Sequence, residues 1–174
     1  DVVIGKYDYG GLFLRMPWHV GIPAEVRNAA RQINLDAEGQ RAPWIDLAMQ
    51  VEPRDDPVHV AIFDHPQNRN YPQAWRVDGQ FGVGPAPQRL GDWKLAEGEQ
   101  AVLRHRLYIY SGPFDDVEVS SQWTDFTGRD VSWELWHLAQ KEGREAEFLD
   151  PEQAVAAMKV PDGFEANVWA AEPM

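Results

Sequence analysis

Short β-prone runs, each closed off by glycine or proline, constrain the fold of this chain more than any other feature of its sequence. They are Val2 to Asp8, Gly11 to Met16, Ala42 to Val51, Val58 to Asp64, Ala74 to Val77, Ala101 to Ser111 and Val117 to Phe126. Strands punctuated at this spacing mark antiparallel β structure. The pattern predicts a mainly all-β protein: an antiparallel β-sandwich over residues 1–128, then one or two short C-terminal helices and an extended tail over 129–174. With 174 residues, 44% of them hydrophobic, the chain can bury the core of an ordinary domain.

The clearest strand is Ala101 to Tyr110. Alternation puts Ala101, Leu103, Leu107 and Ile109 on one face and Arg104, Arg106, Tyr108 and Tyr110 on the other. The first face is expected in the core and the second in water or against a ligand. Residues 24–33 include good helix formers, but Asn28, Asn34 and the turn Asp36-Ala37-Glu38-Gly39 favour extended structure. After Phe126 the period changes, and Val131 to Ala139 carries apolar residues at steps of three and four, which predicts a helix ending by Gly143. Asp150-Pro151-Glu152-Gln153 combines an N-cap, a proline at the first helical position and an amide able to close a capping box. A second short helix should therefore run to about Met158. The charged stretch Gln140 to Glu147 reads as the connector.

Charge and composition narrow the classes of function. A formal net charge of −12 repels both nucleic acid and an anionic membrane surface, so neither is expected as a partner. The chain has no cysteine, which excludes a disulfide framework, a thiolate metal site and a C-x-x-C-H haem attachment within these residues. No apolar run reaches the length of a membrane span, and Asp1-Val2-Val3 lacks the regions of a signal peptide, so a mature or truncated product is expected.

Chemistry concentrates where the apolar run Val58 to Phe63 ends in Asp64-His65-Pro66-Gln67-Asn68, with Pro66 holding an extended turn. Asp64, His65 and Asn68 have the side chains of metal ligands or of a general base, and His65 can titrate near neutrality. Two neighbouring ligands are too few for a closed metal site, however, and Asp and Asn commonly cap turns. A structural role is therefore expected, with no metal and no cofactor assigned. Arg104, Arg106 and Tyr108 would suit an anionic or carbohydrate ligand, since guanidinium forks bind carboxylates and phenol rings stack on sugars. A solvated strand face is the commoner outcome. The eight tryptophans read mostly as core or interface anchors. His105, on the apolar face, reads as a hydrogen-bonded core histidine. Asp115, Asp116 and Glu118 lack calcium-loop spacing and read as a solvated turn.

Several segments together resemble a known family. They are Gly10-Gly11-Leu12-Phe13-Leu14-Arg15, Gly39 to Asp46, Ala61 to Pro66 with Asn68 and Pro72, and Leu103-Arg104-His105-Arg106-Leu107 ahead of Gly112. In order and spacing over about residues 8–126 they are similar to the family labelled PmoA-like, or "methane oxygenase PmoA". The resemblance implies a β-sandwich, often extracytoplasmic and encoded beside sugar-degrading functions, and no membrane copper oxygenase. Family members carry an earlier half with a His-Pro-His-His kind of segment, so the resemblance also implies that this chain corresponds to the C-terminal half. Val160 to Pro173 resembles the opening of the β-propeller of large haem-carrying "membrane-bound dehydrogenase" proteins.

Together these features lead to the expectation of an accessory, non-catalytic module in a periplasmic or otherwise extracytoplasmic assembly, with protein partners and a link to a membrane redox complex. The alternative is a carbohydrate-active enzyme or glycan-binding module at the region of Arg15, Asp64, His65, Asn68 and Arg104, with His65 as acid or base and the two arginines orienting a carboxylate or carbonyl of the substrate.

Overall fold

The computed structural model describes residues 2–5, 11–142, 151–156, 158, 160, 163 and 165–168. The chain forms two compact units, residues 1–138 and 139–174. In the first, Val58–Asp64 (β5) is the strand around which the rest is organised. It pairs antiparallel with Trp44–Met49 (β4) on one side and His105–Ser111 (β9) on the other, and β4 pairs in turn with Ala24–Asn28 (β3). A second antiparallel sheet places Gly82–Pro85 (β7) between Leu14–Arg15 (β2) and Trp75–Val77 (β6). Val2–Ile4 (β1) pairs with Trp93–Leu95 (β8).

Every residue of β5 after Val58 is buried, because both faces of the four-stranded sheet are covered. This is why Val-His-Val-Ala-Ile-Phe-Asp shows no alternation of apolar and polar residues. On one face Val26, Ile45, Leu47 and Ile62 share a buried cluster with Trp75, Val77 and Val83 of the three-stranded sheet. On the other, Trp44, Ala61 and Phe63 pack with Val119, Trp123 and Val131, which come from two helices, Asp116–Thr127 (α1) and Val131–Lys141 (α2). The first sheet thus has a sheet on one side and helices on the other. Gly84 meets a steric demand: a Cβ there would collide with the Leu12 carbonyl oxygen, so only glycine lets the segment before β2 approach β7 this closely.

The mainly β, antiparallel architecture with C-terminal helices agrees with the sequence pattern, and β5 has the predicted bounds. The helix from Val131 is present as α2, and Pro151–Ala156 (α3) forms the helix of the second unit. Residues 24–28 are extended, as the sequence favoured. Lys6 to Asp8 of the first run, the Gly143 break and the Asp150 cap lie outside the described residues.

Two expectations are overturned. Val117 to Phe126 is a helix, not a strand. Asp115 accepts hydrogen bonds from the backbone N–H groups of Val117 and Glu118, Asp116 and Glu118 sit in the favourable first turn, and Gly128 closes the helix with φ 69°. The acidic group read as a solvated turn is therefore a helix start. Val119 and Trp123, one turn apart, are both fully buried, so a narrow i, i+4 stripe outweighs the β-branched residues that suggested a strand. The second correction concerns β9, whose faces are inverted relative to expectation. Leu107 and Ile109 are 45% and 65% exposed, while Tyr108 and Tyr110 are half-buried against the cluster beneath the helices. β9 is an edge strand, and its apolar face extends past the cover that the three-stranded sheet gives Ile62.

Candidate functional site

The Asp64 carboxylate is fully buried at the end of β5. Its Oδ1 accepts from Asn68 Nδ2 at 2.7 Å and its Oδ2 from the Gln73 backbone N–H at 2.9 Å. Asn68 also binds the next strand through its backbone: Nδ2 donates to Arg104 O and Oδ1 accepts from Arg104 N, each at 2.6 Å. The Asp64 backbone carbonyl accepts from Trp123 Nε1 at 2.9 Å, which ties α1 to the same point. Asp64 and Asn68 thus clasp the 65–73 loop, the residue that leads into β9, and α1 together. Beyond the bond they share, their hydrogen bonds run to residues of the fold, Gln73 and Arg104, rather than to the turn between them.

His65 leaves this clasp towards the helices. It packs edge-on against Phe126, with ring centroids 5.0 Å apart, and its Nδ1 accepts from the Gln67 N–H at 3.1 Å. Burial pulls its pKa below the usual histidine value, and the Arg104 and Arg129 charges push it the same way against the opposing Asp64. Arg106 lies over the Phe126 ring at 4.5 Å. Arg104, Arg106, His65 and Phe126 therefore form one group of cationic and aromatic side chains. Tyr108 is near it in the strand but engaged otherwise: it stacks on Tyr110 at 5.1 Å and donates to Glu118 at 3.3 Å. Burial, then Glu118, raises its pKa. Arg15 does not join the group. It pairs with Asp78 and Gln80 in the β6–β7 turn, each at 2.6 Å. His105 sits in register with Asp64, but its Nε2 is 3.5 Å from Oδ1 and makes no hydrogen bond, so the satisfied core histidine expected there is not found.

Sequence inspection missed a second polar network. His59, buried in β5, places Nδ1 2.7 Å from Asp46 Oδ1 and Nε2 3.0 Å from Gly112 O, so both ring nitrogens face acceptor oxygens. Tyr110 donates to Asp46 Oδ2 at 3.1 Å and stacks on His59 at 4.3 Å. Burial, with Asp46 nearby, holds the Tyr110 phenol strongly protonated. One polar residue inside each of two otherwise apolar runs, Asp46 and His59, was the available signal; only the strand register puts them on one face.

The tryptophans divide as their roles require. Trp44, Trp75 and Trp123 are core residues. Trp133 and Trp136 are exposed on α2 and stacked 5.1 Å apart, with His137 edge-on to both. Beside α1, a cleft of about 890 Å³ opens between the helices and the segment after β3, lined in part by Trp44, Arg31, Asp116, Ser120, Ser121 and Thr124. Among the described residues, no group of three or more His, Cys, Asp or Glu side chains is placed to hold a metal ion.

Fold and site together define an antiparallel β module with a helical cover, whose conspicuous polar motif is a structural clasp. The chain belongs to a family of unknown function (DUF6807), whose model matches residues 1–124. No curated protein and no solved structure matches it.

Proposed function

We propose that this chain is a non-catalytic accessory module, a β-sandwich in which the three- and four-stranded sheets are the two layers, working through protein partners in a larger extracytoplasmic assembly. The observation that carries the proposal is the edge of the four-stranded sheet. β9 has no strand partner beyond β5 among the described residues, and it exposes Leu107 and Ile109 beside that open edge. An open edge with apolar side chains is a template for a further strand and an aggregation hazard unless a partner covers it. The resemblance to PmoA-like proteins and to the start of a dehydrogenase propeller supports an extracytoplasmic setting near a membrane redox complex. The enzymatic alternative at Asp64 and His65 is weaker, because the Asp64 oxygens already accept hydrogen bonds within the fold.

The test is native mass spectrometry on protein purified gently from its source, compared with its mass after denaturation. A native mass well above the denatured one, falling to the single-chain value in an Ile109→Lys variant that keeps its circular dichroism, is the expected result. Equal native and denatured masses in the wild-type protein would overturn the assembly role. Retained activity on a sugar substrate that is lost in His65→Ala with an intact fold would favour the enzyme instead.

A further inference from the structure

The cleft beside α1 lies outside both the clasp and the β9 edge, and its chemistry differs from that of the rest of the surface. The chain carries −12 overall, yet the charged residues lining this cleft are Arg27, Arg31, Asp116 and Asp130, which balance. Arg31 pairs with Asp116 at 3.3 Å on the rim, and Arg27 lies over the Phe114 ring at 4.9 Å while bonded to Glu25. Between the charges are the hydroxyls of Ser120, Ser121 and Thr124, on successive turns of one side of α1. The apolar floor includes Trp44, Phe114, Val131 and Leu135. Trp44 is 2% exposed and its indole N–H is buried without a hydrogen-bond partner, although a buried donor left unmet costs about 1–3 kcal/mol.

Each feature restricts the ligand. Balanced rim charges disfavour a strongly ionic one. A guanidinium donor beside a carboxylate acceptor suits vicinal hydroxyls, which both donate and accept. Apolar and aromatic floor with a few placed polar groups is the usual make-up of a small-molecule site, and about 890 Å³ falls within the roughly 300–1,000 Å³ typical of them. We propose that this cleft is a binding site for a neutral saccharide, with Trp44 and Phe114 supplying the apolar base, Ser120, Ser121 and Thr124 the hydroxyl contacts, and Arg31 with Asp116 the rim.

The site makes no use of the β9 edge, so it stands or falls apart from the partner-binding role. Cellobiose, maltose and lactose, with glucuronate as the anionic control, are each added to the full chain and followed by saturation-transfer NMR and tryptophan fluorescence. At least one neutral disaccharide is expected to bind. A Ser120→Ala/Ser121→Ala double variant, which removes two of the lining hydroxyls, should weaken that binding roughly tenfold. Trp133→Ala, on the exposed face of α2, should leave it unchanged. Three results would each overturn the proposal: no saturation transfer to any of the neutral sugars, binding of glucuronate alone, or undiminished sugar binding in a Ser120→Ala/Ser121→Ala protein whose circular dichroism matches wild type. Loss of binding in Trp133→Ala alone would move the sugar to the stacked tryptophans of α2 and would equally overturn it.

Discussion

Asp64 and Trp44 sit at the same end of the same strand pair. Trp44 is in register with Phe63, and the Asp64 N–H donates to Pro43 O, one residue before Trp44. Their side chains belong to opposite faces of the sheet and meet opposite fates. Asp64 is surrounded by donors that complete its hydrogen bonds; Trp44 faces the helical side and retains an unmet N–H. The residues that look most like a site in the sequence are occupied in holding the fold, and those that have capacity to spare are a tryptophan and serines that look like ordinary core and helix. Hydrogen-bond completeness, not residue type, separates the two.

The largest effect belongs to Asp64. Asp64→Ala strands the Asn68 amide and the Gln73 N–H in the interior, and urea unfolding should show a loss of about 3–4 kcal/mol. A loss under about 1 kcal/mol would mean the clasp is dispensable and Asp64 free for another role. Next in size is His59→Leu, which leaves the Asp46 carboxylate buried beside a single phenol. A loss of about 3 kcal/mol is expected, and a large part of it should return in the His59→Leu/Asp46→Leu pair, which a double-mutant cycle measures.

The alkaline limb of stability comes third. Tyr71 and Tyr110 are both pushed above the ordinary tyrosine value of 10.0, chiefly by burial and then by neighbouring carboxylates, Glu134 for Tyr71 and Asp46 for Tyr110. The folded state therefore keeps protons that the unfolded chain releases near pH 10. Their contribution is complete below that pH and is lost as pH rises above it. Thermal melts from pH 9 upward should show a falling midpoint, flattened in Tyr71→Phe and Tyr110→Phe.

Trp44→Phe should shift stability by no more than about 1 kcal/mol, since the lost ring area is offset by removal of an unmet donor; a larger loss would show that the N–H has a partner in solution. The smallest effect belongs to His65. Its folded pKa lies below 6.5, so in the window between the folded value and 6.5 the unfolded state binds more protons. Stability is then complete above 6.5 and falls as pH drops through that window. His65→Gln should remove this slope from chemical-denaturation midpoints measured across the acid range.

Much of the fold was legible because it rests on local signals. β5 was recognisable from an unbroken apolar run ended by Asp-His-Pro, and α2 from its three- and four-residue steps. α1 was misread because Val117, Val119 and Trp123 carry strand-like propensity, and the deciding factors were the Asp115 cap and the burial of one narrow stripe. The short strands β7 and β8 gave no signal of their own: Gly-Val-Gly-Pro becomes a strand only because β2 and β6 flank it. The alternation in β9 was read correctly as two faces but assigned the wrong way round. The carbohydrate alternative grouped Arg15 with Asp64, and its side chain binds the β6–β7 turn.

Propensity and punctuation, which act over a few residues, carry the antiparallel, mainly β character of the chain and the helix that begins at Val131. The helical cover on one face of the four-stranded sheet, the exposure of Leu107 and Ile109 at its edge, and the meeting of Asp46 with His59 while Trp44 goes unmet arise from packing between distant segments. Those outcomes depend on strand register and on which layer reaches how far, and both are fixed by contacts between segments far apart in the chain.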